Sequence, residues 1–317
     1  MDFNRRSEEG VPSEHPLFVL EDQVRPVCLY PDDTVEDLQR GGLRLLQKKN
    51  GFRFGTDSVM LAAYASAFFE HTPEKDLLVA DLGAGCGAVA LLLAARLPQA
   101  RIWGVELDET SCSTFARNIV LNHLEHRMQA VRQDVRQIAA GRAAVGNVEG
   151  NGRFDLVVSN PPYRRPGQSW RRRSDIDAVS EKNDPANRLS RACEEIELDL
   201  NQLLQAASRL LKPGGRLVLV HQANRLPDVF DALRTWRLEA RTLRLVQPLP
   251  ERRPSIFLLS AVKSGKSGGF QIEPPLILAD QPGSMTAETA AWYGHEPSMT
   301  EAQRLQGLIP VDGERKG

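Results

Sequence analysis

The stretch LLVADLGAGCGA, running from Leu77 to Ala88, decides the fold. Its first six residues are an apolar run too short for a stable helix, and they fit a strand buried on both faces. Gly83, Gly85 and Gly87 then make a turn in which residues without a Cβ let the backbone come close to a ligand. AVALLLAARL (88–97) follows as a helix that is apolar on every side. The first turn of that helix presents unpaired N–H groups to whatever the glycines cradle.

Outward from this unit the alternation repeats. RIWGVEL (101–107) reads as a second strand, ETSCSTFARNIVLNHL (109–124) as an amphipathic helix, and MQAVRQD (128–134) as a third strand. FDLVVSNPPY (154–163) is a fourth strand stopped by two prolines. LDLNQLLQAASRLLKPGG (198–215) is a helix closed by its Lys-Pro-Gly-Gly, and RLVLVHQ (216–222) a fifth strand. LPDVFDALRTW (226–236) makes another helix, with LRLVQPL (243–249) and SIFLLSAV (255–262) as the last strands. Strands alternating with helices predict an α/β domain on a parallel sheet. AAGRAAVGNVEGNG (139–152) reads as a solvated loop. Upstream, LRLLQKKNGFRF (43–54) predicts a hairpin around Asn50-Gly51. Thr56 or Asp57 can cap the helix TDSVMLAAYASAFF (56–69).

The chain has 317 residues, 41% of them hydrophobic, and a formal net charge of −1, which excludes a uniformly basic coat and a highly charged disordered chain. No apolar run reaches the roughly 18–20 residues a bilayer requires, and MDFNRRSEEGVPSEHP is not a secretory signal. Cys28, Cys86, Cys112 and Cys193 lie far apart, predicting free thiols in a reducing cytoplasm and no metal site. The net charge conceals a partition. Residues 1–37 carry −7 and 280–317 carry −3, so residues 38–279 carry +9; 32 of the 40 basic residues are arginine. The reading is an acidic, loosely ordered extension (1–37), a body (38–279) divided into a hairpin-and-helix lead (38–76) and a core (77–279), and a polar tail (280–317).

Four positions at strand ends carry the chemistry. Asp81, two residues ahead of Gly83, suits a cationic amino-acid moiety and is ill suited to a pyrophosphate. Glu106, ending the second strand, is placed to accept from ribose hydroxyls, and Asp134, ending the third, from an adenine amino group. The most specific signal is Asn160-Pro161-Pro162-Tyr163. The Asn160 side-chain oxygen and the Pro161 carbonyl can accept both hydrogens of a planar amino group, polarising its lone pair toward an electrophile. The Tyr163 ring offers a stacking face. Gly83-x-Gly85-x-x-Ala88 also satisfies the dinucleotide pattern, which keeps a nicotinamide enzyme as an alternative. His123 and His126 lack metal-ligand partners in the sequence, His221 reads as a packing residue, and nothing near Cys86 activates its thiol.

DLGAGCG, GVELD, the aspartate after the third strand and NPPY, in this order and spacing, resemble the class I S-adenosylmethionine (SAM)-dependent methyltransferases acting on planar amino nitrogens. GFRFGTDSVMLAAYA, FDLVVSNPPYRRPGQ and the later KSGG…IEPPLIL narrow the resemblance to the bacterial tRNA(Val) adenine-N6-methyltransferases, over roughly residues 38–279. It implies a Rossmann-like fold: a mostly parallel seven-stranded sheet, helices on both faces, and an N-terminal hairpin and helix. The implied SAM site comprises Thr56, Asp57, Asp81, Gly83, Ala84, Gly85, Gly87, Glu106, Leu107, Asp134, Val135 and Asn160. Asn160, Pro161, Pro162 and Tyr163 would hold the target, and S-adenosylhomocysteine would be the product. Many relatives carry Ala-Arg-His-Glu where this chain reads Ala192-Cys193-Glu194-Glu195.

Arg164, Arg165, Trp170, Arg171, Arg172 and Arg173 follow the motif directly, and arginine with an interleaved aromatic suits looped or single-stranded RNA. The expected partner is therefore RNA, most directly tRNA. A glutamine methyltransferase acting on a release factor, an rRNA amino-methyltransferase and a non-catalytic RNA-binding module are the other readings.

Overall fold

In the computed structural model, which describes residues 18–20, 27–49, 54–70, 76–161 and 199–295, the glycine-rich turn lies at the centre of an eight-stranded sheet. Ahead of that sheet, β1 (Phe18–Leu20) pairs with β2 (Val27–Leu29), and β3 (Asp33–Asp37) with β4 (Arg44–Lys48), both antiparallel. Helix α1 (Thr56–Ala67) follows. The next elements are β5 (Leu77–Leu82), α2 (Ala88–Arg96), β6 (Ala100–Glu106), α3 (Glu109–Leu121) and β7 (Met128–Arg132). After α4 (Val135–Ala139) come β8 (Phe154–Ser159), α5 (Leu200–Leu210), β9 (Leu211–Gln222) and α6 (Leu226–Thr235). Three long strands, β10 (Leu238–Gln247), β11 (Ile256–Lys263) and β12 (Gln271–Ile277), complete the sheet. A small hairpin of β13 (Ala279–Gln281) and β14 (Ser284–Met285) leads into α7 (Ala287–Tyr293).

The strand order is β12-β10-β11-β9-β8-β5-β6-β7, with β11 antiparallel to both its neighbours and every other pair parallel. Strand β5 shows why. Leu77 and Val79 join the core under α1, α2 and α3, whereas Ala80 and Leu82 join the core under α4, α5 and α6. Alternate residues face opposite sides, so a wholly apolar strand must be covered twice. The order reverses between β5 and β8, and a crevice opens there beyond the carboxyl ends of the strands.

Helix α5 ends at Leu210, so the Lys-Pro-Gly-Gly read as its close lies within β9, and three larger details differ from the sequence reading. First, β4 pairs with Asp33–Asp37 upstream; the expected hairpin turn around Asn50-Gly51 lies outside the described residues. The partner strand, DTVED, is too acidic to show as a strand. Its Asp33 side chain is buried, bonded by Arg117 (Nη1 to Oδ2, 2.5 Å) and by Lys48 (3.0 Å). Part of the stretch expected to be loosely ordered is thus built into the fold. Second, the sheet has eight strands where seven were expected. β12 adds to β10 with a register shift opposite Pro274-Pro275, which an edge strand tolerates because it has one unpaired side. Third, the expected polar tail contributes α7, whose Tyr293 hydroxyl donates to Thr56 Oγ1 at 3.1 Å.

Helix α3 docks against the turn through Phe115, which is wholly buried. A Cβ at Gly87 would lie 1.9 Å from that ring, and one at Gly104 2.1 Å. Gly87 also has φ +88°, in the left-handed region. Gly87→Ala is therefore expected to cost roughly 2–5 kcal/mol in urea unfolding, overpacking plus left-handed strain. Gly83→Ala, whose Cβ would meet no atom within 4 Å, should cost only the left-handed part, about 1–2 kcal/mol.

Candidate functional site

At the β5–β8 reversal lies a cavity of about 290 Å³, near the lower end of the roughly 300–1,000 Å³ common for small-molecule sites. Much of its wall comes from strand ends. Gly83, Ala84 and Gly85 follow β5, Glu106 and Leu107 end β6, Asp134 and Val135 follow β7, and Asn160 follows β8. These eight belong to the set expected from the sequence. Side-chain positions at Gly83 and Gly85 open onto free space, so the turn presents bare backbone at both.

The carboxylates divide their work. Glu106 Oε2 accepts from the Gly85 N–H at 2.8 Å and Oε1 from the Asp108 N–H at 2.9 Å, bracing the turn while facing the cavity. Asp134 caps α4 through the Arg136 N–H at 2.8 Å, and both its oxygens accept from Arg136 Nε, at 2.9 and 2.8 Å. Burial raises its pKa, but the Arg136 hydrogen bonds and charge outweigh burial and hold it below the ordinary carboxylate range.

Asp81 does not line the cavity. It lies buried at the end of β5, 2% exposed, and its Oδ2 has no hydrogen-bond partner among the described residues. Burial first, then the negative charge of Glu106, push its pKa up to about 7. An unpaired carboxylate oxygen under a glycine turn is costly unless a cationic group meets it. That orphan oxygen, together with the bare Gly83 and Gly85, fits a cofactor with a cationic amino-acid end.

On the neighbouring strand, Ser159 Oγ donates to the Leu82 carbonyl at 2.7 Å and ties the end of β8 to the end of β5. Asn160 follows on the cavity wall, its Nδ2 donating to Ser58 Oγ of α1 at 3.4 Å, and Pro161 is buried behind it. Pro162, Tyr163, Arg164, Arg165, Trp170, Arg171, Arg172, Arg173 and the Ala192–Glu195 departure lie outside the described residues.

Besides Asp81, the expected cofactor residues Thr56, Asp57 and Gly87 do not line the cavity, and neither does Pro161. Neither Thr56 nor Asp57 caps α1. The N-cap is Gly55, with no side-chain bond, and Thr56 receives the Tyr293 hydroxyl. The sequence reading in turn missed Phe54, Ser58 and Arg136. Ser58 and Phe54 lie within the GFRFGTDS stretch, but nothing local shows that its side chains cross to the sheet. Cys86 lines the cavity with its thiol pushed up to about 11 by burial, so it stays protonated and weakly nucleophilic. His221 packs at 4% exposure against Phe257, with burial lowering it to about 4. Among the described residues no cluster of three or more His, Cys, Asp or Glu could hold a metal, and no helix is long and apolar enough to cross a membrane.

Strand order, glycine turn and the acidic residues at successive strand ends define a class I SAM-dependent methyltransferase. Solved structures agree at the level of fold. A protein from Agrobacterium tumefaciens assigned as an O-methyltransferase superposes with TM-score 0.55 at 19% identity, over 76% of this chain and 98% of that one. A Listeria monocytogenes protein assigned to class I of these enzymes gives TM-score 0.50 at 16% identity, over 77% and 74%. Residues 62–173 match the family model of the methyltransferase small domain. The chain is 32% identical to a tRNA1(Val) (adenine(37)-N6)-methyltransferase of Porphyromonas gingivalis over 206 residues, 65% of this chain and 72% of the relative. It is also 34% identical to a release factor glutamine methyltransferase of Streptomyces coelicolor, over 50% of this chain and 51% of that one. The chain belongs to the family of the tRNA1(Val) adenine-N6-methyltransferases.

Proposed function

We propose that this enzyme methylates the exocyclic N6 amino nitrogen of an adenine in RNA, most directly tRNA, and that the β5–β8 cavity holds SAM. The observation that carries the reading is Asn160, followed by the buried Pro161, on the wall of a cavity also lined by the glycine turn, with the orphan oxygen of Asp81 two residues before that turn. Asp81 would meet the cationic end of the cofactor, Glu106 its ribose and Asp134 its adenine edge, with Gly83, Ala84, Gly85, Leu107 and Val135 closing around it. When bound, SAM supplies an electrophilic sulfonium methyl group.

The chain's own residues supply alignment and acceptors. Asn160 Oδ1 and the Pro161 carbonyl accept the two amino hydrogens and hold the nitrogen in line for displacement. No general base is needed, because the amino group becomes acidic as its nitrogen is alkylated. Ser58, donated to by the Asn160 amide, sets the rotation of that amide. The target adenine must leave its stack, which is cheapest in an RNA loop. Tyr163 would stack on it, and the arginines at 164, 165 and 171–173 with Trp170 would grip the flanking RNA.

The test is methyl transfer from labelled SAM into bulk unmodified tRNA and rRNA, with nucleosides resolved by mass spectrometry. The expected outcome is N6-methyladenosine in tRNA. Label confined to a release factor offered in the same assay would overturn the RNA reading in favour of glutamine.

A further inference from the structure

Two walls of the cavity come from segments far apart in the chain, the glycine turn and the Phe54–Ser58 approach to α1. We propose that Asn118 and Gln47 are positioning residues that join these walls into one hydrogen-bonded unit through the N-terminal hairpin.

Asn118, on α3, is wholly buried and makes three bonds. Its Oδ1 accepts from the Leu46 N–H at 2.6 Å, and its Nδ2 donates to the Leu46 carbonyl at 2.8 Å and to the Cys86 carbonyl at 2.9 Å. One turn on, Asn122 repeats the pattern on Arg44, accepting from its N–H at 2.8 Å and donating to its carbonyl at 2.7 Å. The match is geometric. Four helical residues rise about 6 Å and two strand residues about 6.6 Å, so asparagines at i and i+4 pair with alternate residues of a strand edge. Strand β4 thus has β3 on one edge and two side-chain amides on the other.

The adjacent residue carries the link onward. Gln47 is 1% exposed, its Nε2 donates to Glu36 at 3.0 Å, and its Oε1 accepts from the Phe54 N–H at 2.9 Å. The path runs from the Cys86 carbonyl in the turn, through Asn118, Leu46 and Gln47, to the Phe54 wall. Moving one wall against the other strands a buried polar group, so the two walls move together. This inference rests on the cavity being the cofactor site.

Calorimetry with S-adenosylhomocysteine and hydrogen exchange test it. In the wild-type chain, S-adenosylhomocysteine is expected to slow amide exchange both at 83–87 and at 44–48, although the latter does not line the cavity. Gln47→Met keeps the side-chain length and removes the acceptor. It should weaken S-adenosylhomocysteine binding at least about fivefold, the lower range of ordinary coupling between sites. A merely structural role would lower the melting temperature and leave that affinity alone. Protection of 83–87 without 44–48 in the wild-type chain, or an unchanged affinity in folded Gln47→Met, would overturn the linkage while leaving the cofactor site standing. No binding of S-adenosylhomocysteine to the wild-type chain would overturn both.

Discussion

Asn160→Ala is expected to lower kcat for methyl transfer by about 10²–10³-fold, the usual effect of removing one group aimed at charge developing in a transition state. The loss should fall on kcat, with the SAM KM changed only a few-fold. Asn160 faces the cavity, and the Ser159–Leu82 bond and the strand pairing hold the end of β8 without its side chain. The melting temperature should therefore stay close to wild type. Single-turnover label transfer, paired with calorimetry on S-adenosylhomocysteine, separates the two parameters. A kcat within threefold of wild type would remove Asn160 from the role given to it.

The second large effect is expected at Asp81, where stability and binding move in opposite directions. Its folded-state pKa of about 7 lies above the ordinary 3.8, through burial and then the Glu106 charge. Between pH 3.8 and about 7 the folded chain holds more protons at this site than the unfolded chain. This contribution to stability therefore falls as pH rises through that window and is constant above it. A cationic ligand reverses the preference, since it needs the ionised form and expels the proton. Affinity for S-adenosylhomocysteine should rise up to tenfold per pH unit below about 7 and then level off. It should decline again only at more alkaline pH, where the ligand's own ammonium deprotonates, above the peptide α-amino value of about 7.7–8.0 because its own carboxylate is adjacent. Asp81→Asn should abolish the rise below neutrality and weaken binding at pH 7.5 by at least about 30-fold, the lower end of what truncating one partner of a buried charge pair costs. The same variant should melt higher than wild type at pH 8, because it no longer buries an ionised carboxylate. Calorimetry and thermal melts across pH 5–8.5 check both signs, and a wild-type affinity flat from pH 5.5 to 7.5 would contradict the assignment.

The asparagines of α3 mark where legibility in the sequence ends. In ETSCSTFARNIVLNHL the apolar positions predict an amphipathic helix, and the helix is there. Asn118, wholly buried, and Asn122, half-buried at its C-cap, are the visible anomaly, since buried amides require partners. The partner of Asn118, Leu46, is 72 residues away, and no local pattern points to it. DTVED failed as a strand for a related reason. Its acidic side chains are made tolerable by Arg117 and Lys48 after folding, and strand patterning reports burial without reporting compensation. Arg136 was passed over because an arginine in the first turn of a short helix looks solvated, whereas here it pairs with Asp134 at the cavity rim.

By itself the sequence determined the order of strands and helices, the glycine turn and the run of carboxylates and Asn160 at strand ends. Each of those features is local: apolar period, the missing Cβ of glycine and the fixed φ of proline act within a few residues. Tertiary structure alone decided that Asp81 is buried with an orphan oxygen, that β12 and α7 extend the body, and that the hairpin is bonded to the turn. Those outcomes depend on which buried polar groups meet across the core, and that pairing is chosen only when the packed chain brings distant donors and acceptors together.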